Sequence, residues 1–72
     1  MKEIPITTEH IKLQDLLKFA NLVSTGGEAK IVISKGEVSV NGETCLQRGK
    51  KLRPGDVVYY RGEELSVSYA DR

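Results

Sequence analysis

Thr25-Gly26-Gly27-Glu28-Ala29-Lys30-Ile31-Val32-Ile33-Ser34-Lys35-Gly36-Glu37-Val38-Ser39-Val40-Asn41-Gly42 packs a helix start, a helix stop, a strand and a turn into one short stretch. Thr25 and Glu28 have the spacing of a capping box, in which each side chain satisfies a free N–H of the first turn. Ala29, Val32, Ile33 and Gly36 fall on one helical face, with Lys30 and Ser34 on another. Gly36 is expected to stop the helix at a positive φ, where glycine meets little resistance. Val38-Ser39-Val40 alternates like a half-buried strand, and Asn41-Gly42 is a strong hairpin-turn signal.

Working outward toward the N-terminus, Leu13, Leu16, Leu17 and Ala20 recur at helical spacing and predict a first helix over Leu13 to Ala20. Asn21 suits a left-handed stop, and Leu22-Val23-Ser24 turns the chain into the second helix. Lys12 and Lys18 flank the apolar stripe, and Phe19 is expected in the core or at its edge. Before this, Lys2 to Thr8 alternates around Pro5 and fits an edge strand, and Thr8 to Lys12 reads as a connector. His10 stands alone, a surface or packing residue with no nucleophile beside it.

Toward the C-terminus, Glu43-Thr44-Cys45-Leu46 is expected to return as the hairpin partner, with Cys45 mostly buried. Gln47 to Arg53 reads as a basic loop, and Pro54-Gly55-Asp56 as a turn. Val57 to Tyr60 and Leu65 to Tyr69 predict two further strands around Arg61-Gly62-Glu63-Glu64. Val58 and Tyr60 share one face and Val57 and Tyr59 the other, so one tyrosine is expected to be exposed. The predicted fold is α+β, two short packed helices on a small antiparallel sheet.

Seventy-two residues allow one domain, here residues 1–72. A chain of this size buries only about 60% of its unfolded surface, so the core is thin. One cysteine excludes an internal disulfide, and one histidine leaves no set of zinc ligands. No apolar run approaches the ~20 residues of a membrane span, and no signal-peptide pattern opens the chain. These features predict a cytoplasmic protein without membrane, metal or cofactor. No phosphate loop, dinucleotide fingerprint or nucleophile–base set is present, so no enzymatic activity is expected.

The net charge is +1, but its distribution is uneven. Between Lys12 and Arg53 eight basic residues face four acidic ones, whereas outside that window three basic residues face six acidic ones. Such segregation predicts a basic face suited to phosphate. Lys50, Lys51 and Arg53, with Arg48, form its densest part. Gly26-Gly27 leaves backbone N–H groups free of side chains at a helix start, which admits two readings: a phosphate cradle or a tight inter-helix turn needing small residues.

Together Leu13-Gln14-Asp15-Leu16-Leu17-Lys18, Gly26-Gly27-Glu28-Ala29-Lys30, Ile33, Gly36, Val38-Ser39-Val40-Asn41-Gly42 and Leu52-Arg53-Pro54-Gly55-Asp56 resemble the S-four RNA-binding domain with its alpha-L motif. The resemblance spans Lys12 to Val58 and is closest to small stand-alone bacterial members. It departs from many members at Thr25-Gly26, where they carry Ser-Arg, and at Lys12, where they often carry Arg. The resemblance implies contact with structured RNA, ribosomal or ribosome-associated, at Lys12, Lys18, Gly27, Lys30 and Asn41, with Arg48, Lys50, Lys51 and Arg53 beside them. Gly26 joins them through the cradle reading. Asn41-Gly42 and Gly55-Asp56 are read first as structural turns. The protein is expected to act as a monomer; recruitment of an acidic protein partner and DNA binding are the alternative functions for the same face.

Overall fold

Nine short elements make up the fold in a computed structural model that describes residues 1–70. In chain order they are β1 (Lys2–Ile6), β2 (Ile11–Lys12), α1 (Leu13–Phe19), α2 (Gly26–Ser34), β3 (Val38–Val40), β4 (Glu43–Thr44), β5 (Lys51–Leu52), β6 (Val57–Tyr60) and β7 (Glu63–Tyr69). Five strands form one sheet in the order β1-β7-β6-β3-β4, and β2 pairs with β5 in a separate ladder. The α+β expectation holds, with one change: the main sheet is mixed. β1 runs parallel to β7, while the other pairs in the sheet are antiparallel. That pairing joins the two ends of the chain, a long-range contact with no local sequence signal.

The helices stop by the same device. Asn21 (φ 63) follows α1, and its N–H and that of Leu22 donate to the carbonyls of Lys18 and Leu17. Gly36 (φ 77) follows α2, where the N–H groups of Gly36 and Glu37 donate to Ile33 and Val32. Both patterns are Schellman stops, which satisfy carbonyls that would otherwise be orphaned. At the start of α2 the Thr25 hydroxyl accepts from the Glu28 N–H at 3.1 Å. The Glu28 carboxylate accepts from the Ser24 N–H at 2.8 Å, one residue earlier than the capping box predicts. The helix start is still closed from both sides.

The apolar stripes of both helices are buried against one face of the sheet, where Ile4, Ile6, Val38, Val40, Val58, Tyr60, Leu65 and Val67 meet them. The opposite face carries Tyr59, Glu64, Ser66 and Ser68 and stays partly wet. Pro5 is exposed on edge strand β1, as its missing N–H requires. The Ile6 carbonyl accepts from the Ala70 N–H, so strand alternation turns Pro5 toward the open edge.

Six further expectations change. β7 begins at Glu63, because Arg61 (φ 51) and Gly62 (φ 83) alone make the hairpin turn. β4 stops at Thr44, although the Cys45 N–H still donates to the Val38 carbonyl, and Cys45 is half-buried. The connector before α1 contains β2, and the basic loop contains β5; fully buried Leu52 pins that loop to the core. Phe19 is 63% exposed and lines a depression with Ile6 and Ile11, since the core face of α1 is already filled by its leucines.

Candidate functional site

The basic residues converge on the N-terminal end of α1. Lys12 is the N-cap of that helix, with no side-chain capping bond. The first free N–H groups of the helix are satisfied from the basic loop instead: Leu13 N–H donates to the Lys50 carbonyl at 2.9 Å and Gln14 N–H to the Arg48 carbonyl at 3.1 Å. The β2–β5 ladder then sets Lys12 directly opposite Lys51. Backbone bonds thus gather Lys12, Arg48, Lys50 and Lys51 into one exposed strip, flanked by exposed Arg53. Among the described residues the one ion pair is Lys18–Asp15 at 3.5 Å, on the exposed flank of α1. Among the described residues the strip therefore has no carboxylate within ion-pair distance.

This arrangement conflicts with the fold's own electrostatics. A cation at a helix N-terminus opposes the positive end of the helix dipole. A like charge directly across a ladder is also destabilising. Lys12 sits under both conditions, and an anion placed between Lys12 and Lys51 relieves them together.

Asn41 and Arg53 lie at a second, linked place. Asn41 (φ 52) and Gly42 (φ 88) form the β3–β4 turn, both in the left-handed region. The Asn41 amide donates from Nδ2 to Asp56 Oδ1 at 3.1 Å and accepts at Oδ1 from the Val57 N–H at 2.9 Å. Asp56 Oδ2 accepts from the Arg53 N–H at 2.8 Å. Asp56 N–H returns to the Arg53 carbonyl, closing the turn through Pro54 and Gly55 (φ 102). Asn41 and Asp56 thus clamp two turns together and hold Arg53 beside the strip. The turn role read from the sequence accounts for both ends of the Asn41 amide.

Gly26 and Gly27 open α2, and neither has a positive φ. A Cβ on Gly26 would meet nothing within 4 Å, and one on Gly27 only Thr25 Oγ1 at 3.8 Å. Packing does not demand glycine at either place, so the tight-turn reading loses its basis. What remains is an open backbone surface at a helix start, with exposed Lys30 one turn along. Lys18 and Lys30 sit on the exposed faces of the two helices, apart from the β2–β5 strip in the chain and without a bond to it.

The sequence reading missed the anchoring of the strip. Leu52 between Lys51 and Arg53 is the available signal: one apolar residue alternating with charged ones marks a strand with one buried side. Among the described residues no His, Cys, Asp or Glu cluster could hold a metal ion, and no helix is long and apolar enough to cross a membrane.

Comparison with known proteins supplies context for this geometry. A family model described as the S4 domain matches residues 4–68. The "Probable ribosome maturation protein RlbA" of Bacillus subtilis (strain 168) is 48% identical over 59 residues, covering 82% of this chain and 83% of that protein. The solution structure of YbcJ from E. coli, described as revealing an alfaL motif involved in RNA-binding, matches with a TM-score of 0.67 at 30% identity, over 93% of this chain and 84% of that one. The crystal structure of the 30S ribosomal protein S4e from Thermoplasma acidophilum matches with a TM-score of 0.67 at 25% identity, over 90% of this chain but 34% of that longer one.

Proposed function

Because this chain belongs to the S4 domain family, we propose that residues 1–72 act as one non-catalytic domain that binds structured RNA, ribosomal or ribosome-associated. The observation that carries this reading is the Lys12–Lys51 pair at the α1 N-terminus, a local electrostatic penalty that a bound phosphate removes. Arg48, Lys50 and Arg53 extend the same strip, so several consecutive phosphates can be engaged. Gly26, Gly27 and Lys30 at the α2 start, and Lys18 on α1, are the further contacts, with Asn41 shaping the hairpin turn beside them. Among the described residues only three aromatic side chains are exposed, Phe19, Tyr59 and Tyr69, so recognition works mainly through backbone phosphates and shape instead of base stacking. The alfaL motif described for YbcJ and the maturation role in the name of the Bacillus subtilis relative support the RNA and ribosomal parts of this reading. The Pro5-blunted β1 edge and the two-residue β4 edge favour action as a monomer, and the ribosomal reading goes with a place in the cytoplasm.

Replacing Lys50, Lys51 and Arg53 together by alanine tests the reading. All three side chains are exposed, and the loop is held by backbone bonds and by Leu52, so the variant should fold. Affinity for a structured RNA hairpin should fall, and the slope of log affinity against log salt should flatten by about 0.7 to 0.9 for each phosphate no longer neutralised. An unchanged affinity and slope would overturn the assignment of the strip. A matched DNA hairpin and an acidic polypeptide, run beside the RNA, separate RNA binding from the two alternative functions.

A further inference from the structure

Next to the basic strip lies an open groove of about 440 Å³, lined by Asn41, Glu43, Thr44, Leu46, Gln47 and Lys50, among others. Its two sides are the Asn41-Gly42 hairpin turn and the start of the basic loop. The loop side is held in shape by the Gln47 carbonyl, which accepts both the Lys50 N–H at 3.2 Å and the Cys45 thiol at 3.6 Å. On the turn side, the Asn41 amide is fixed to Asp56 and Val57. Both walls are therefore preformed.

One lining residue is a largely exposed apolar side chain. Leu46 is 63% exposed, outside the core, and its Cδ2 lies 3.9 Å from where a Cβ on Gly36 would stand. An exposed leucine in a wet groove offers an apolar plane, while the Thr44 hydroxyl and the Gln47 side-chain amide make no hydrogen bond within the protein among the described residues. Lys50 belongs to both places: it lines the groove and stands in the phosphate strip.

We propose that this groove receives the base of one unpaired nucleotide, bulged or in a loop, of the RNA whose backbone lies on the strip. The proposal rests on the RNA-binding reading and adds what kind of RNA is preferred. A phosphate held at Lys50 places the base of its own or the adjoining nucleotide at the groove mouth. Leu46 covers one face of that base, and Thr44 and Gln47 offer donors and acceptors to its edge. A base in a duplex cannot reach the groove, because its face is stacked and its edge paired. An unpaired base enters at little cost.

The test uses two RNA hairpins that differ only in one bulged nucleotide, and a third with 2-aminopurine at the bulge. The full chain should bind the bulged hairpin about fivefold tighter than the paired one, the usual net worth of one hydrogen bond to the base edge. No aromatic side chain lines the groove, so the 2-aminopurine should leave its stacked neighbours and brighten on binding. Leu46→Ala should abolish both the preference and the brightening while the paired hairpin binds as before. Leu46→Met, which conserves volume, should keep them, and it decides the matter should the alanine variant fail to fold. Equal affinities for the two hairpins in the wild type, or a Leu46→Ala weakening that falls equally on both, would overturn the proposal and leave the groove to a partner protein's side chain. Binding to neither hairpin would take down the RNA-binding reading itself.

Discussion

Asn41 shows how one side chain serves two turns. Its backbone sits at φ 52, where most residues are strained, and its amide ties Asp56 and Val57 to the hairpin. Asn41→Gly keeps the backbone angle and removes the side-chain bonds; Asn41→Ala gives up both. The glycine variant should cost about 2 kcal/mol and the alanine variant about 3, from the usual worth of two hydrogen bonds and of the left-handed conformation. Thermal unfolding should place the two Tm values apart, at about 4–8 °C per kcal/mol for a domain of this size. An Asn41→Gly protein with unchanged Tm and abolished RNA affinity would show that the amide serves the RNA instead. Arg61 makes the opposite case. It occupies the first left-handed position of the β6–β7 turn at φ 51, with its guanidinium 5.8 Å from the Tyr60 ring centroid. Arg61→Asn should raise stability by about 0.5–1 kcal/mol, because asparagine tolerates this conformation and the exposed cation–π contact returns little. An unchanged or lower Tm would mean that the contact with Tyr60 outweighs the backbone strain.

At the scale of elements, the sequence is legible where the cause is local. Thr25, Gly36 and Asn21 mark the ends of the helices, and the structure puts a cap or a left-handed residue at each. The leucine stripe of α1 is buried as its period requires. Pairing between distant segments leaves no such mark: β1 beside β7, and β2 beside β5, depend on which strands the folded chain brings together. Arg61-Gly62 is hard to recognise as a two-residue turn because arginine is not a turn former, so residue type alone suggests a loop two residues longer. The basic strip is legible as charge, but its attachment to α1 runs through the carbonyls of Arg48 and Lys50, and backbone bonds leave no trace in residue type. The Gly26-Gly27 start of α2 is the element whose residues the fold least explains. Glycine in the first turn costs the helix, and no contact or angle here requires it. Gly27→Ala should therefore stabilise the protein by about 0.5–1 kcal/mol. Gly27→Glu should be neutral or stabilising, since a carboxylate suits a helix N-terminus, yet should weaken RNA binding roughly tenfold, about 1.4 kcal/mol. A Gly27→Glu protein that folds and binds as before would remove the α2 start from the interface.

On the scale of the whole molecule, stability and binding make opposite demands on one ladder. Ile11–Lys12 and Lys51–Leu52 bury Leu52 fully on one side and present two opposed ammonium groups on the other. A sequence shaped only for stability would place unlike charges there and an acid or a small polar residue at the α1 N-cap. Lys12→Glu makes both changes at once. It sets a carboxylate opposite Lys51 and beside the positive end of α1, so the protein should gain about 0.5–1 kcal/mol, and the gain should shrink as salt rises. The same change removes one phosphate contact and occupies the space between the two cations with a fixed negative charge. RNA affinity should then fall by more than Lys12→Ala produces, because alanine removes attraction whereas glutamate adds repulsion. Unfolding and binding measured on wild type, Lys12→Ala and Lys12→Glu should rank in opposite orders. If Lys12→Glu lowers stability, the cross-strand repulsion is not a cost the fold carries, and if it binds RNA as wild type does, the phosphate lies elsewhere on the basic face.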